Sequence, residues 1–170
     1  MKRLKLDQVW WLITPGNPLK SNNGLPPLHG RMNLVQAFAR GPKMKITGFE
    51  RELGTRYTAG TLSFLKQRYP AIRFVWIMGA DNLAHFDRWQ HWRHIADIMP
   101  IAVVDRPGWR HAGLSSPAAR TLERYRVPES EAAILADLHP PAWMLLTIRL
   151  SGLSSTALRG AAAPIMALND

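Results

Sequence analysis

The residues best suited to chemistry in this chain lie where an apolar run meets polar ones, in Phe74-Val75-Trp76-Ile77-Met78-Gly79-Ala80-Asp81. The run is short and rich in β-branched and aromatic residues, which predicts a strand buried on both faces, as in a parallel sheet. Gly79 at its end lets a ligand approach the backbone closely, and the Asp81 carboxylate two residues on can accept from a sugar hydroxyl. Asp81 also stands where a helix would begin, so an N-cap is its competing role. Lys20, in the loop Pro15-Gly16-Asn17-Pro18-Leu19-Lys20, is a candidate phosphate contact or an exposed surface lysine. His85, His91 and His94 invite a metal reading, but their spacing does not put all three on one helix face, and no metal site is expected.

These residues need a scaffold, and the pattern supplies one. Strands are expected over Val9–Thr14, Lys43–Thr47, Phe74–Met78, Pro100–Val104 and Trp143–Ile148. Between them, helical spacing covers 28–40, a stretch led by Thr58 (itself a plausible N-cap) that runs to Tyr69, and a helix ending at 95–99. Glu50 to Gly54 reads as a turn, 112–141 as one or two surface helices, and Ser154 or Ser155 as the cap of a helix from Thr156. Trp10, Trp11, Trp76 and Trp143 are strand residues and expected in the core; of Trp89 and Trp92, three apart, one should face a pocket while the other packs. Alternating strands and helices predict an α/β, doubly wound, Rossmann-like parallel sheet with helices on both faces, and polar loops collected at one edge.

Composition bounds the rest. At 170 residues the chain, 1–170, is expected to form a single domain. It has no cysteine, which excludes disulfides and thiolate chemistry, and no apolar run near the 18 or so residues of a membrane span. The expectation is a cytoplasmic protein with no membrane partner. The net charge of +10 is scattered, with no basic block longer than Lys2-Arg3. Such a field concentrates anionic substrates such as nucleotides and argues against a nucleic-acid-binding module.

Six stretches, in order, resemble the nicotinate-nucleotide adenylyltransferase family of nucleotidyltransferases. They are Pro15–Lys20, Tyr57-Thr58-Ala59-Gly60-Thr61-Leu62, Ile77–Leu83, Arg88-Trp89-Gln90-His91-Trp92, Arg106-Pro107-Gly108-Trp109 and Leu153-Ser154-Ser155-Thr156-Ala157-Leu158-Arg159. The resemblance implies transfer of the adenylyl group of ATP to nicotinate mononucleotide, giving deamido-NAD and pyrophosphate in NAD biosynthesis, with Mg²⁺ carried by ATP. It implies that Gly79 and Asp81 lie between the two substrates, that Trp89 and the peptide groups near it and Thr58 form the nicotinate pocket, and that Arg106 faces the nucleotide. It further implies that Lys20, Ser154, Ser155, Thr156 and Arg159 hold ATP. A helix start with hydroxyls and an arginine one turn in suits phosphate on chemical grounds too.

The sequence departs from that family in one large respect. Its Gly-Ser-Phe-Asp-Pro loop and His-x-Gly-His motif, whose histidines stabilise the transferring phosphates, are missing here, and so is the first strand. Loss of that central strand should leave its two neighbours with unpaired backbone and an exposed apolar face. Met1 is therefore expected to be internal to a longer protein. The alternative is a catalytically inactive nucleotide-binding remnant. A smaller departure is Gln90, where the family often has an aromatic residue.

Overall fold

The computed structural model describes residues 2–14, 16, 26–39, 41–55 and 57–149. Within them the order is β1 (Val9–Leu12), α1 (Leu28–Phe38), β2 (Met44–Thr47), α2 (Glu50–Leu53), α3 (Thr58–Arg68), β3 (Trp76–Gly79) and α4 (Ala80–Leu83). It continues with α5 (Trp92–Ile98), β4 (Ile101–Val104), α6 (Arg110–Leu114), α7 (Pro117–Thr121) and β5 (Trp143–Leu146). Short 3₁₀ turns cover Phe86–Arg88 and Glu123–Tyr125, and a longer 3₁₀ stretch covers Glu129–Asp137.

All strand pairs are parallel. β3, β4 and β5 pair in that order, with Trp76 opposite Ile101 and Ile101 opposite Trp143. Alternation sorts their side chains to two faces. Met78, Ile101, Val103, Trp143 and Leu145 enter one cluster with Leu62 and Leu65 of α3, Ile95 of α5 and Ala118 and Ala119 of α7. Ala102, Met144 and Leu146 enter the other with Leu4, Ala132 and Leu135. β4 and β5 are thus covered on both faces, as the alternating pattern predicts. The largest buried ring is Trp143, whose indole Nε1 donates to Leu122 O at 2.8 Å, so its polar edge keeps a partner on burial. α7 starts sharply because Ser116 accepts from Ala119 N and Pro117 fills the first helical position.

The sheet is in two pieces. β1 pairs with β2 (Val9 opposite Met44), and among the described residues nothing joins this pair to β3. Both pieces still share one core, since Trp10 and Leu12 of β1 pack on the cluster that holds Met78. Trp10 meets the rings of Tyr69 and Phe74 edge-on, with centroids 5.5 and 5.6 Å apart. The opposite parity is bare: Trp11 is 45% exposed and Ile77 37%.

Several expectations are corrected by this arrangement. β3 is not buried on both faces, and Trp11 is not core, because each lies on the uncovered side of an edge strand. The turn expected over Glu50 to Gly54 is a single helical turn, Glu50–Leu53, and it is not wholly polar surface, since a buried Glu50 accepts from the Thr61 hydroxyl at 2.9 Å. Residues 112–141 are more than surface helices, since Ala118, Ala119, Leu122, Ala132 and Leu135 are buried. No helix among the described residues is long and apolar enough to cross a membrane.

Candidate active site

β3 delivers its last residue, Gly79, to the carboxyl end of the sheet, and the backbone turns at once into α4. Gly79 is itself the cap, with extended backbone at φ −80° and ψ 158°, and it makes no side-chain cap bond. Asp81 is therefore the second residue of the helix and not its N-cap. Its carboxylate turns to Arg106 from the loop after β4: Nε lies 3.4 Å from Oδ1, and a terminal guanidinium nitrogen donates to Oδ2 at 3.5 Å. Oδ1 is buried and accepts no hydrogen bond, an unusual state for a carboxylate oxygen. A β-carbon on Gly79 would collide with Asp81 Oδ1 and lie 2.8 Å from Arg106 Nε. The glycine is needed here for space, with no unusual backbone angle involved.

A second carboxylate ends the adjacent strand. Asp105, only 6% exposed, follows β4 directly and accepts from the Arg106 backbone N–H at 2.8 Å and from Arg110 at 2.7 Å. It was not singled out from sequence, although the signal that flags Asp81, an acid closing a buried run, is present at Val104-Asp105 as well. Arg110 was missed because its role depends on the Pro107-Gly108 turn, where Gly108 has φ 76° and lets the chain fold back.

Thr58 and Trp89 stand at the heads of two helices packed together. Thr58 is the first residue of α3; the cap position is Tyr57, so the N-cap role expected for Thr58 does not hold. Trp89 closes the Phe86–Arg88 turn three residues before α5, half-buried, its ring edge-on to Phe86 with centroids 5.5 Å apart. Trp92 is the buried member of the pair and packs on the same phenylalanine. α3 and α5 are linked by Ser63 Oγ and His94 Nε2 at 3.0 Å, and His85 meets the exposed Trp109 edge-on. Among the described residues no three or more of His, Asp and Glu are grouped as metal ligands would be. Lys20, Ser154, Ser155, Thr156 and Arg159 lie outside the described residues.

What is brought together is a glycine, an acid and an arginine at the tips of two parallel strands. That is the crevice at which open α/β sheets bind ligands. The strand-end acids are each engaged by a guanidinium, so the site offers cationic and hydrogen-bonding groups to a ligand, not a free pair of carboxylates.

Known proteins match this chain over nearly its whole length. A model of the cytidylyltransferase-like family matches residues 1–161. A Bradyrhizobium sp. (strain ORS 278) protein named "Probable nicotinate-nucleotide adenylyltransferase" is 55% identical over 159 residues, covering 94% of this chain and 83% of its own length. A Rhizobium meliloti protein of the same name is 53% identical over 161 residues, 95% of this chain and 86% of that one. Among solved structures, the Plasmodium falciparum nicotinic acid mononucleotide adenylyltransferase, complexed with APC and with NaAD, superposes with a TM-score of 0.62. At 16% and 17% identity, covering 91% of this chain and 68% and 69% of those chains, these matches speak for the fold alone.

Proposed function

The chain belongs to the cytidylyltransferase-like family and, within it, to the nicotinate-nucleotide adenylyltransferases, and on that premise we propose how its own residues serve the reaction. The reaction is adenylyl transfer: a phosphate oxygen of nicotinate mononucleotide attacks the α-phosphorus of ATP, the bond to the β-phosphate breaks, and pyrophosphate leaves with the electron pair. Deamido-NAD is the other product. Such a transfer needs little covalent help from protein; it needs two phosphates held in line and their charge neutralised.

The observation that carries the assignment of roles is the close approach of Arg106 to Asp81 beside Gly79. Gly79 presents backbone to the junction between the substrates, Asp81 accepts from a ribose hydroxyl, and Arg106 faces the nucleotide phosphates. Trp89 stacks on the pyridine ring, with the peptide groups near it and at Thr58 receiving the nicotinate carboxylate. Lys20, Ser154, Ser155, Thr156 and Arg159 hold the ATP phosphates. One domain carries both substrates. With Asp81 and Asp105 already engaged by guanidinium groups, Mg²⁺ fits as an ion held by the triphosphate and water. When bound it supplies neutralisation of triphosphate charge.

The absence of any His-x-Gly-His in the sequence favours a second reading, a nucleotide-binding remnant without turnover. Pyrophosphate release with Mg-ATP and nicotinate mononucleotide separates the two. Release that requires both substrates supports the enzyme; binding of both without release supports the remnant; binding of neither overturns both.

A further inference from the structure

Tyr57, the cap residue of α3, is extended, with φ −118° and ψ 132°. An extended residue turns its own N–H and C=O to the same side, and here one hydroxyl takes both. Thr55 Oγ1 accepts from Tyr57 N and donates to Tyr57 O, each at 3.3 Å. The same carbonyl accepts the backbone N–H groups of Gly60 at 3.1 Å and Thr61 at 3.3 Å. The Thr61 hydroxyl lies 3.5 Å from it, but that hydroxyl has one proton and Glu50 Oε1 at 2.9 Å is the nearer acceptor. Thr55 is therefore the side chain that fixes this peptide group. It is closely fitted, since a β-carbon on Gly60 would lie 2.8 Å from its Oγ1.

The other half of that peptide group is the N–H of Thr58. A trans peptide is planar, so its N–H points away from its C=O. With the Tyr57 carbonyl held by Thr55 and the first turn of the helix, the Thr58 N–H is aimed to the opposite side. It is the first N–H of α3, one of those a helix leaves without an intrahelical acceptor. Among the described residues nothing accepts from it, and Tyr57 makes no side-chain cap bond.

We infer that Thr55 is a positioning residue for nicotinate mononucleotide: by bridging the N–H and C=O of Tyr57, it aims the Thr58 N–H at the nicotinate carboxylate and so favours the acid over the neutral amide. Thr55 does not touch the ligand. A donor aimed at a carboxylate makes a charge-assisted bond, about twice as strong as the bond it would make to the oxygen of a carboxamide. The inference rests on the proposed function, which gives the peptide groups at Thr58 to that carboxylate.

The experiment is calorimetric titration of nicotinate mononucleotide, nicotinamide mononucleotide and Mg-ATP, separately, into the wild type, Thr55→Val, Thr55→Ser and Gly60→Ala, beside their melting curves. Thr55→Val keeps the shape and loses both bonds to Tyr57. It should weaken nicotinate mononucleotide about five- to tenfold and leave the other two ligands within about twofold, so that the preference for the acid falls. Thr55→Ser restores the hydroxyl and should bind all three as the wild type does. Gly60→Ala favours the helix while its methyl group pushes the Thr55 hydroxyl off Tyr57, so it should show the same selective loss without a lower melting point. Equal weakening of all three ligands with lowered melting points would mean a merely structural turn and overturns the inference. Unchanged nicotinate mononucleotide binding in Thr55→Val or Gly60→Ala overturns it too. Wild-type protein that binds neither substrate overturns the functional reading first; failure of the positioning role alone leaves the wild type binding both.

Discussion

Arg106 Nε lies 3.4 Å from Asp81 Oδ1, and the space a β-carbon on Gly79 would need is the space those two atoms occupy. Three residues from two strand ends therefore share one volume. In Gly79→Ala the colliding groups are ends of flexible side chains, so the fold survives by pushing the acid and the arginine aside. Melting should change little while affinity for both nucleotides falls, roughly tenfold or more if a charge-assisted bond to each is lost. Titration calorimetry beside a melting curve checks this; unchanged affinity would remove Gly79 from the substrate junction.

Trp89 is half-buried and braced edge-on by Phe86, so on the proposed function its ring stacks on the pyridine at little entropic cost. Trp89→Ala should weaken nicotinate mononucleotide, by about five- to tenfold for one lost aromatic stack, and affect ATP much less. Equal losses for both would contradict the pocket assignment.

Glu50 and Glu129 should give opposite pH signatures. Burial pushes the Glu50 carboxyl above its ordinary 4.5, and the hydrogen bond from Thr61 only partly offsets it. A raised folded value means that the favourable, protonated state is complete below the unfolded pKa, and its benefit is lost as pH rises through the folded one. Glu50→Gln, which keeps an acceptor for Thr61, should raise the melting point at pH 7 and lose that advantage near pH 4. At Glu129 burial acts upward too, but the bonds from Arg3 and from the Thr147 amide and hydroxyl outweigh it and hold the carboxyl below 4.5. Its stabilisation is present above the unfolded value and fades as pH falls through the folded one, so Glu129→Gln should cost stability at pH 7 and converge on the wild type in acid. Melting points across pH 3 to 8 test both; parallel curves for either variant would reject its assignment.

Much of the scaffold was legible because its signals are local. Ile101–Val104 and Trp143–Leu146 are unbroken apolar runs between breakers, and they are the most deeply buried strands. The resemblance rested on short loops at the carboxyl ends of strands, and Gly79, Asp81 and Arg106 do meet there. What escaped depends on distant partners. Whether Asp81 caps a helix or faces Arg106 is decided by where α4 begins, two residues earlier than a cap at Asp81 would require. Four-residue α2 is too short to show a period, and its buried Glu50 needs Thr61 from the next helix. The exposure of Trp11 follows from β1 pairing, among the described residues, with β2 alone, which no residue of β1 records. Asp105, Arg110, Thr147 and Glu129 come together only when the exits of β4 and β5 are side by side.

That packing of exits has a further consequence at Gly113. A β-carbon there would lie 2.9 Å from the carbonyl oxygen of Ala80, which is backbone and cannot swing away. α6 is thereby allowed to sit directly on the start of α4, between Gly79 and Asp81 on one side and Arg110 on the other. Gly113→Ala would gain a little helix propensity, about 1 kcal/mol, but overpacking against fixed backbone costs about 1–3 kcal/mol. The second effect should win, lowering the melting point by a few degrees. Because the displaced atom belongs to the residue between Gly79 and Asp81, nucleotide affinity should fall with it. A stabilised Gly113→Ala protein would show that α6 can move away freely and that the loop carrying Arg106 is not held by this contact.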